Sequence, residues 1–527
     1  MSKVLSEQTE TQRKLTAYEI LERIVREKVV ELIRDEEREV CVVIQNNGHR
    51  EVWPVKSKTF DSYLNRWFYE SEGKGVREEV RKDVKATLEA EGYDKRTVTL
   101  NLFCALSEEN PPTIYVDLYT PDWRGVRIDT NGIKVEQLPP IFRRSNFSTW
   151  KPELPTQNED PRKIIEGFFR TIIPNPQNSE TYKLLTPALP VYILPISRPI
   201  LVFLGGHHSG KSVAQKIISQ VFMKEGAPRT REGEDRIKDI AAVARENPLL
   251  LYDNCNRISQ ELAQTLSVLV TGECIGFRQL YTDKETVYFA LKRGIFLNGI
   301  APNIYSYPDV VDRSLIITLE KIDEKNRKEE RELEEEVKPI LPKVFGCCLE
   351  GLRRAIPLLQ QVRADLKEKL PRMADFAVWG EAVARGMGYR PFEWFNLFKQ
   401  FKQTAVIEAV EANPVSQAVL KLVELYREAP LPELDREQIQ ARLRDCENRG
   451  EGLVFKWKGT DKKVWISSVT VLYGTLSRLL EPTIEGFPRS PTWMSVRLKE
   501  VQSSLSDLGI KVEFGRWEKA NYIAITF

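Results

Sequence analysis

Histidine and cysteine are scarce in this chain of 527 residues, which contains three histidines and seven cysteines. No two cysteines have the C-x-x-C spacing, so the sequence predicts neither a zinc site of usual spacing nor a disulfide framework. Lys and Arg number 78 against 76 Asp and Glu, and the net charge of +2 excludes a histone-like polycation. A basic surface on one face of the molecule is still compatible with that sum.

Long apolar runs and targeting signals are also missing. No stretch approaches the ~20 apolar residues that span a bilayer, and the polar start lacks the basic-then-apolar layout of a secretion signal. We therefore predict a cytoplasmic protein with no membrane partner. Because 42% of the residues are hydrophobic, the chain can bury sizeable cores. At about 100–200 residues per domain, its length predicts about three or four domains.

Proline-rich and polar stretches, such as 151–161 and 429–432, mark the predicted boundaries between domains. Helical spacing over 16–35 and strand patterns over 39–55 and 97–118 predict an α+β beginning. Apolar strands that alternate with amphipathic helices follow, which is typical of an α/β sheet. The four predicted parts are an α+β N-terminal domain (1–150), an α/β core (160–320), a helical subdomain (321–428) and a winged-helix-like module (429–527).

One loop in the α/β core has the sequence of a phosphate-binding site. The apolar run 199–204 leads into Gly-Gly-His-His-Ser-Gly-Lys-Ser (205–212) and then into an amphipathic helix. This G-x-x-x-x-G-K-S pattern between a strand and a helix predicts a P-loop NTPase, with ATP and Mg²⁺ as cofactors. Glycine there lets backbone N–H groups approach the phosphates, Lys meets the β and γ phosphates, and the Ser hydroxyl ligates Mg²⁺. The predicted nucleotide-binding residues are Gly205, Gly206, His207, His208, Ser209, Gly210, Lys211, Ser212 and Val213. We interpret the two histidines as spectators, because the backbone of such a loop does the binding.

A second apolar run, 248–252, ends in Asp253, which we predict to hold Mg²⁺ together with Ser212. Many P-loop ATPases have a glutamate base at the next position, but this chain has Asn254. An amide orients water without accepting its proton. Hydrolysis therefore relies on positioning and charge stabilisation, or its carboxylate comes from elsewhere, with Glu232 and Asp235 as candidates.

Two further polar residues adjoin apolar strands of the core. Asn298 ends the run 293–298, and we predict that it senses the γ-phosphate and holds the attacking water. Arg313 precedes the apolar run 315–319, and in a ring it would reach the nucleotide of the neighbouring subunit. An ion pair of Arg313 with Asp309 or Asp312 is the alternative. The predicted catalytic residues are thus Lys211, Asp253, Asn254, Asn298 and Arg313.

Taken in order, these features resemble the A, B, B′ and C motifs and the arginine finger of superfamily 3 helicases, a group within the AAA+ class. The B′ part is the stretch 270–289, with Thr271-Gly272, Arg278 and the segment 280–283. The likeness is strongest to NTPase domains of phage, plasmid and integrative-element primase-helicases. It covers about residues 195–320 and extends loosely to 371–376 and 491–516. It implies a homo-hexamer acting on single-stranded or forked DNA, with a primase or polymerase as a further partner.

The same resemblance implies where DNA is contacted. In that family the segment before motif C forms a hairpin in the channel of the ring, and the turn 282–285 favours a hairpin here. Lys284 would lie at its tip and Lys292 and Arg293 at its base, although acidic neighbours leave an ordinary solvated turn as the alternative for Lys284. In the winged-helix-like module, Arg516 and Lys519 would meet phosphate. Protein docking is the alternative for that module.

The N-terminal domain occupies the position of a primase. Nucleotidyl transfer needs two or three clustered carboxylates, whereas this region offers Asp117 on a strand and Asp122 in the next turn, without an Asp-x-Asp pair. We favour DNA binding or partner docking for it and leave its role open. For the whole chain we predict an ATP-dependent helicase or translocase in replication of a mobile or phage-like element. The alternative is a nucleotide-switched DNA-binding ATPase, such as a loader, regulator or defence component, that separates no strands.

Overall fold

The structure is a computed structural model that describes residues 15–231, 237–255, 258–278, 286–299, 303–480, 487–517 and 520–527. Four residues named above, Glu232, Asp235, Lys284 and Lys519, lie outside the described residues. No helix in the described part of the chain is long and apolar enough to cross a membrane.

The described chain opens with a three-stranded antiparallel sheet in the order β1-β2-β3, packed against helices. Its elements are α1 (Ala17–Lys28), β1 (Val29–Arg34), β2 (Val40–Asn46), β3 (His49–Pro54), α2 (Lys58–Glu72) and α3 (Glu78–Gly92). The prediction of helical structure throughout 16–35 is wrong after Lys28, where the strand β1 begins. A bulge between Val29 and Glu31 disturbs the alternation of β1 and so hid the strand in the sequence pattern.

A four-stranded antiparallel sheet follows, in the order β4-β5-β6-β7. Its strands are β4 (Cys104–Leu106), β5 (Ile114–Asp117), β6 (Arg124–Asp129) and β7 (Gly132–Gln137). The first sheet has its own apolar core, but the inner face of the second sheet joins the large core of the α/β part. Phe103, for example, stacks on Phe345 with 6.4 Å between ring centroids.

The α/β part is built on a buried five-stranded sheet in the order β14-β8-β13-β10-β9, in which all described pairs are parallel. Its elements are α4 (Pro161–Ile172), α5 (Thr181–Val191), β8 (Ile200–Leu204), α6 (Lys211–Gln220), β9 (Arg229–Arg231), α7 (Ile237–Glu246), β10 (Leu249–Asp253), α8 (Gln260–Thr271), β13 (Gly294–Gly299), α9 (Pro308–Asp312) and β14 (Ser314–Thr318). Between α8 and β13, the strands β11 (Cys274–Arg278) and β12 (Thr286–Ala290) pair antiparallel as a separate two-stranded sheet. A mixed α/β core with a parallel sheet is therefore confirmed.

Helices cover one side of this core and lead to the last part of the chain. They are α10 (Glu330–Val337), α11 (Leu341–Ala355), α12 (Leu359–Leu366), α13 (Ala374–Gly386), α14 (Glu393–Ala412) and α15 (Pro414–Arg427). The last part contains β15 (Glu433–Leu434), α16 (Arg436–Asn448), β16 (Leu453–Trp457), β17 (Lys463–Ser468), α17 (Val469–Leu479), α18 (Pro491–Asp507), β18 (Lys511–Trp517) and β19 (Ala520–Thr526). Its sheet has the order β15-β16-β17-β19-β18. A third apolar core lies between that sheet and α15, α17 and α18.

Candidate nucleotide-binding site

The glycine-rich segment 205–210 forms the turn between β8 and α6. Gly205 has a φ of 151°, and a Cβ at this position would lie 2.2 Å from the carbonyl oxygen of Leu319, just past β14. Gly210 has a φ of 80° and is the N-cap of α6, with no side chain to cap the helix. A helix end capped in this way leaves first-turn N–H groups for an external acceptor such as phosphate.

The ammonium group of Lys211 lies inside this loop. It donates hydrogen bonds to the carbonyl oxygens of Gly205 (2.8 Å) and Gly206 (2.7 Å) and to the Ser209 hydroxyl (3.1 Å). Burial lowers the pKa of Lys211, and the carboxylate of Asp253 opposes that shift. The positive charge is thus held where the loop closes around it, in the position expected of a phosphate-binding lysine.

Ser212 and Asp253 come together at the carboxyl edge of the parallel sheet. The Ser212 hydroxyl donates a hydrogen bond of 2.7 Å to Asp253 Oδ1. Asp253 ends β10, and Ser212 lies in the first turn of α6, just after the loop that follows β8. Both strands are parallel to β13 between them, so their ends meet at one edge. A hydroxyl and a carboxylate in contact are the oxygen donors that Mg²⁺ prefers, and these two fit such an ion.

Asn298 lies on β13, the strand between β8 and β10, and links the two sides of the site. Its Nδ2 donates to Asp253 Oδ1 (2.8 Å) and to the Gln215 side chain, and its Oδ1 accepts from the Asn254 N–H at 2.9 Å. The side chain is buried, with 1% of the residue exposed. Its role as a γ-phosphate sensor stays a prediction, since in this geometry it orients Asp253 and Asn254.

Asn254 lies at the exposed end of β10. Its φ of 57° is in the left-handed region, which Asn tolerates better than most residues. This turn brings the residue after Asp253 to the mouth of the site. Its role in orienting water stays a prediction, and the alternatives Glu232 and Asp235 lie outside the described residues.

Two residues of this network were missed by the sequence analysis. Gln215 is buried in α6, and its Nε2 donates to the carbonyl oxygens of Tyr252 (3.2 Å) and Phe296 (2.7 Å), which ties α6 to β10 and β13. Its signal was a polar residue on the apolar face of a helix, four positions after Lys211. Arg229 on β9 lies 3.5 Å from Asp253 Oδ2, and its short polar strand gave no signal.

The remaining loop residues sit near the surface. His207 and Val213 are exposed and half-buried respectively, and His208 is exposed with a φ of 63°. The carbonyl oxygen of His208 accepts from the N–H of Ile322 at 3.1 Å, so the loop is also fixed from the chain beyond β14. No described contact gives either imidazole a chemical role.

The helix after the loop is tied to the acidic helix α10. The Lys216 ammonium pairs with Glu330 at 2.8 Å and with Glu334. The acidic helix α10 therefore contacts the helix that begins at the glycine-rich loop.

Arg313 lies at the other edge of the sheet. Its carbonyl oxygen accepts from the N–H of Ile200, at the start of β8, so about 15 Å of strand separates it from the loop of its own chain. Its side chain is only 7% exposed and pairs with Asp309. An ion pair with Asp309 or Asp312 was the alternative interpretation of Arg313 from the sequence. Arg372, 48% exposed, reaches Asp309 (3.2 Å) and Asp312 (3.0 Å) on the same surface.

The predicted DNA contacts are dispersed. Lys292 and Arg293 are half-buried between β12 and β13, and Arg293 Nε donates to the carbonyl oxygen of Ala244 at 2.5 Å. Arg516 is exposed on β18. Lys284 and Lys519 lie outside the described residues. None of these assignments is tested by the geometry, and they stay predictions.

The two N-terminal carboxylates do not form a metal-binding pair. Asp117 is fully buried and accepts from the Arg144 guanidinium at 2.6 and 2.8 Å, although burial raises its pKa. Asp122 is on the surface, 3.5 Å from Arg124. Asp117 therefore forms a buried ion pair with Arg144, and the role of this region stays open.

Two stretches of the chain match family models of mobile-element replication proteins. Residues 182–393 match the actinomycete integrative conjugative element replication protein, and residues 453–526 match the C-terminal domain of the RepA protein of these elements. The first stretch contains the whole site described above. The chain is thus similar to a replication protein in its α/β core and in its last sheet.

A search of curated proteins found no match. Among solved structures, the active helicase Cch of SCCmec type IV is 13% identical, with 94% of this chain and 92% of that chain covered and a TM-score of 0.42. The apo C-terminal region of NrS-1 is 11% identical, with coverages of 96% and 98% and a TM-score of 0.39. At such scores these two likenesses carry no argument about this chain.

Proposed function

We propose that this chain is an ATP- and Mg²⁺-dependent AAA+ motor that moves along or unwinds DNA during replication of an integrative element. The observation that carries the proposal is the contact between Ser212 and Asp253 beside the Lys211 loop. The match of the same region to an element-encoded replication protein supports the biological setting. Membership of superfamily 3 and the winged-helix character of 429–527 belong to this proposal.

Each residue of the site has a task in ATP hydrolysis. Lys211 gives up its contacts with Gly205, Gly206 and Ser209 and contacts the β and γ phosphates instead. The first-turn N–H groups of α6 donate hydrogen bonds to phosphate oxygens. Ser212 and Asp253 hold Mg²⁺, which when bound neutralises charge on the phosphates. Arg229 lies close enough to Asp253 to add positive charge at the same edge.

Water positioning is assigned to Asn254, because Asn298 holds its backbone at the end of β10. The amide orients the attacking water without taking its proton. Such a site turns over slowly until another group completes it. That requirement fits a motor whose hydrolysis depends on assembly.

In this proposal the completing group is Arg313 of a neighbouring copy. Because Arg313 lies a full strand length from its own loop, it can serve only the site of another subunit. Its burial against Asp309 means that assembly must first open that ion pair. Arg372 is available to keep Asp309 paired when Arg313 turns outward.

The first experiment is ATP turnover with and without single-stranded DNA, with mass photometry of the same samples. DNA-stimulated turnover by a ring-sized particle, lost in Lys211→Ala, supports the motor; unwinding of a forked duplex then separates helicase from translocase. Mixing Lys211→Ala with Arg313→Ala tests the shared site, since interfaces with one intact loop and one intact arginine regain turnover. Recovery of turnover in the mixture also shows that both variants fold. If the wild-type protein shows no DNA-dependent turnover, the proposal of a motor is overturned.

A second candidate is a nucleotide switch without strand separation, favoured by Asn254 in place of a glutamate base. In this case nucleotide binding changes assembly or DNA affinity, but the forked duplex stays intact. Slow turnover that ignores DNA, together with nucleotide-dependent changes in particle mass, would select this function over the motor.

A further inference from the structure

A cavity of about 730 Å³ lies on the side of the five-stranded sheet opposite to the nucleotide loop. Its wall includes residues 98–108 of the N-terminal region, and its other side is formed where β10 and β13 begin. Lys292 and Gly272, which flank the β11–β12 hairpin, also line it. Its volume is that of a site for a mononucleotide or a similar small molecule.

One of the charged residues that line this cavity is Arg198. The residue is 5% exposed, and its Nη1 donates to the carbonyl oxygen of Tyr192. Its Nε is buried with no hydrogen-bond partner, and no described carboxylate pairs with the guanidinium. Burial lowers the pKa of Arg198 to about 10, so it is still a cation at neutral pH.

A second guanidinium, that of Arg293, lines the same cavity. It donates only to the backbone oxygens of Ala244 and Lys292, and no carboxylate in the described ranges forms an ion pair with it. Burial, together with the positive charges of Arg198 and Arg143, lowers the pKa of Arg293 to about 10, although Glu36 and Glu246 nearby raise it. Two cations without carboxylate partners thus repel each other across one cavity, Arg198 buried and Arg293 half-buried.

The other two arginines of the cavity are compensated. Arg143 pairs with Glu246 at 2.7 Å, and Arg245 pairs with Glu37 at 2.6 Å and Glu39 at 3.0 Å. Four carboxylates also line the cavity, those of Asp35, Glu36, Glu37 and Glu108, and none of them forms a described ion pair with Arg198 or Arg293. These two guanidinium groups are thus the arginines of the lining that no described carboxylate pairs.

Buried cations without counter-ions are costly, and proteins normally pair them or bind an anion there. Guanidinium groups with free N–H donors match phosphate oxygens. We propose that this cavity is a second phosphate-binding site, in which Arg198 and Arg293 receive a phosphate group of a nucleotide or of a nucleic-acid strand. Apolar wall residues such as Leu100 and Leu291 leave space beside the phosphate for a sugar or base.

The site is independent of ATP hydrolysis, since it lies a strand length from the Lys211 loop and uses different residues. It is therefore tested in the Lys211→Ala protein, in which the first phosphate site is removed. The probe is inorganic phosphate, and its binding is measured as the change in the midpoint of thermal unfolding. A ligand that binds only the folded state raises the midpoint with the logarithm of its concentration.

The variants are Arg293→Gln and Arg198→Gln, each made in the Lys211→Ala protein. The control is Arg66→Gln, which removes an equal charge from an exposed arginine paired with Glu70. In the two cavity variants, we expect a given midpoint shift to need a phosphate concentration about tenfold higher or more. This is the loss of affinity expected when one charge-assisted hydrogen bond is removed. If the unfolding midpoint of Arg293→Gln depends on phosphate as that of the parent Lys211→Ala protein does, the proposal is overturned. This test remains valid even if Arg198→Gln does not fold.

Two binding assays then identify the source of the phosphate. A fluorescent ATP analogue that still binds the Lys211→Ala protein and loses affinity in Arg293→Gln assigns the site to a mononucleotide. A labelled oligothymidylate whose anisotropy shows the same loss assigns it to a DNA strand. If neither probe depends on Arg293, the proposal of a phosphate site falls, while the ATPase proposal is judged separately by turnover of the wild type.

Discussion

The Ser212 hydroxyl and the Asp253 carboxylate, 41 positions apart in the chain, form a direct 2.7 Å hydrogen bond. Two other features support that contact: the parallel strands β8 and β10 end at the same edge, and Asn298 on the strand between them donates to the same carboxylate oxygen. The pair is thus fixed before any ligand arrives. Preorganised oxygen donors of this kind are what a tightly positioned Mg²⁺ needs.

The substitution Asp253→Asn removes the negative charge of this side chain but keeps its shape. The amide oxygen still accepts from Ser212 and Asn298, so we expect the midpoint of thermal unfolding to change little. Turnover should fall by about 100-fold or more, because several kcal/mol of charge stabilisation through the metal is lost. Turnover measured against Mg²⁺ concentration checks this, with Asp122→Asn as a surface control; an Asp253→Asn protein with near wild-type Mg²⁺ dependence would refute the metal assignment.

Gly205→Ala and Gly206→Ala form a matched pair in the glycine-rich loop 205–210. The new methyl group at 205 meets the Leu319 carbonyl oxygen at 2.2 Å, whereas no atom lies within 4 Å of one at 206. Gly205 also has a φ of 151°, which L-residues rarely adopt. We expect Gly205→Ala to lose nucleotide affinity and about 1–3 kcal/mol of unfolding free energy. Titration with a fluorescent nucleotide compares the two; equal affinities would contradict the geometry.

Arg313→Ala and Arg372→Ala distinguish a buried arginine from an exposed one on the same surface. The Arg313 side chain is only 7% exposed, whereas Asp309 is 57% exposed, so removing Arg313 costs its buried packing and hydrogen bonds, about 1–3 kcal/mol. Arg372 is half exposed, and its loss should change stability by less than about 1 kcal/mol. Urea unfolding measures both. If the two variants are equally stable, Arg313 is not the buried partner described here.

Glu381→Ala tests the packing of the helical part. Glu381 is fully buried, and its carboxylate accepts from Arg385 Nε at 2.9 Å and from the N–H groups of Phe392 (2.6 Å) and Phe395 (3.1 Å). Removing it leaves two N–H groups and part of a guanidinium without an acceptor, which costs about 3–5 kcal/mol.

The control for Glu381→Ala is Glu335→Ala, which breaks the exposed ion pair with Arg331 in α10. It should cost less than about 0.5 kcal/mol. Urea unfolding of both variants gives the difference directly. A Glu381→Ala protein as stable as Glu335→Ala would show that the buried network is not needed for stability.

The sequence was sufficient where the signal was local. Gly205, Gly210, Lys211 and Ser212 were predicted from one motif, because strand, loop and helix follow each other in the chain. Asp253 could be predicted from the end of an apolar run, and the structure places it beside Ser212. Their roles as ligands stay predictions, but their proximity follows from the fold.

The sequence was insufficient where partners come from distant segments. Gln215 contacts the backbone of β10 and β13, 37 and 81 positions away, and no pattern in the chain indicates those contacts. The strand β1 was hidden in helical spacing by its bulge. Arg198 and Arg293 are far apart in the sequence, and only the folded structure shows that they line the same cavity.

The proline-rich stretch after residue 150 has a consequence for proteolysis. It lies against α11, where the N–H of Glu153 donates to the carbonyl oxygen of Pro342 and Lys343 pairs with Glu153 and Glu159. The β4–β7 sheet before it shares its apolar core with the helices after it. A protease that cuts between 154 and 158 would therefore leave two fragments that stay together on a sizing column and melt as one unit.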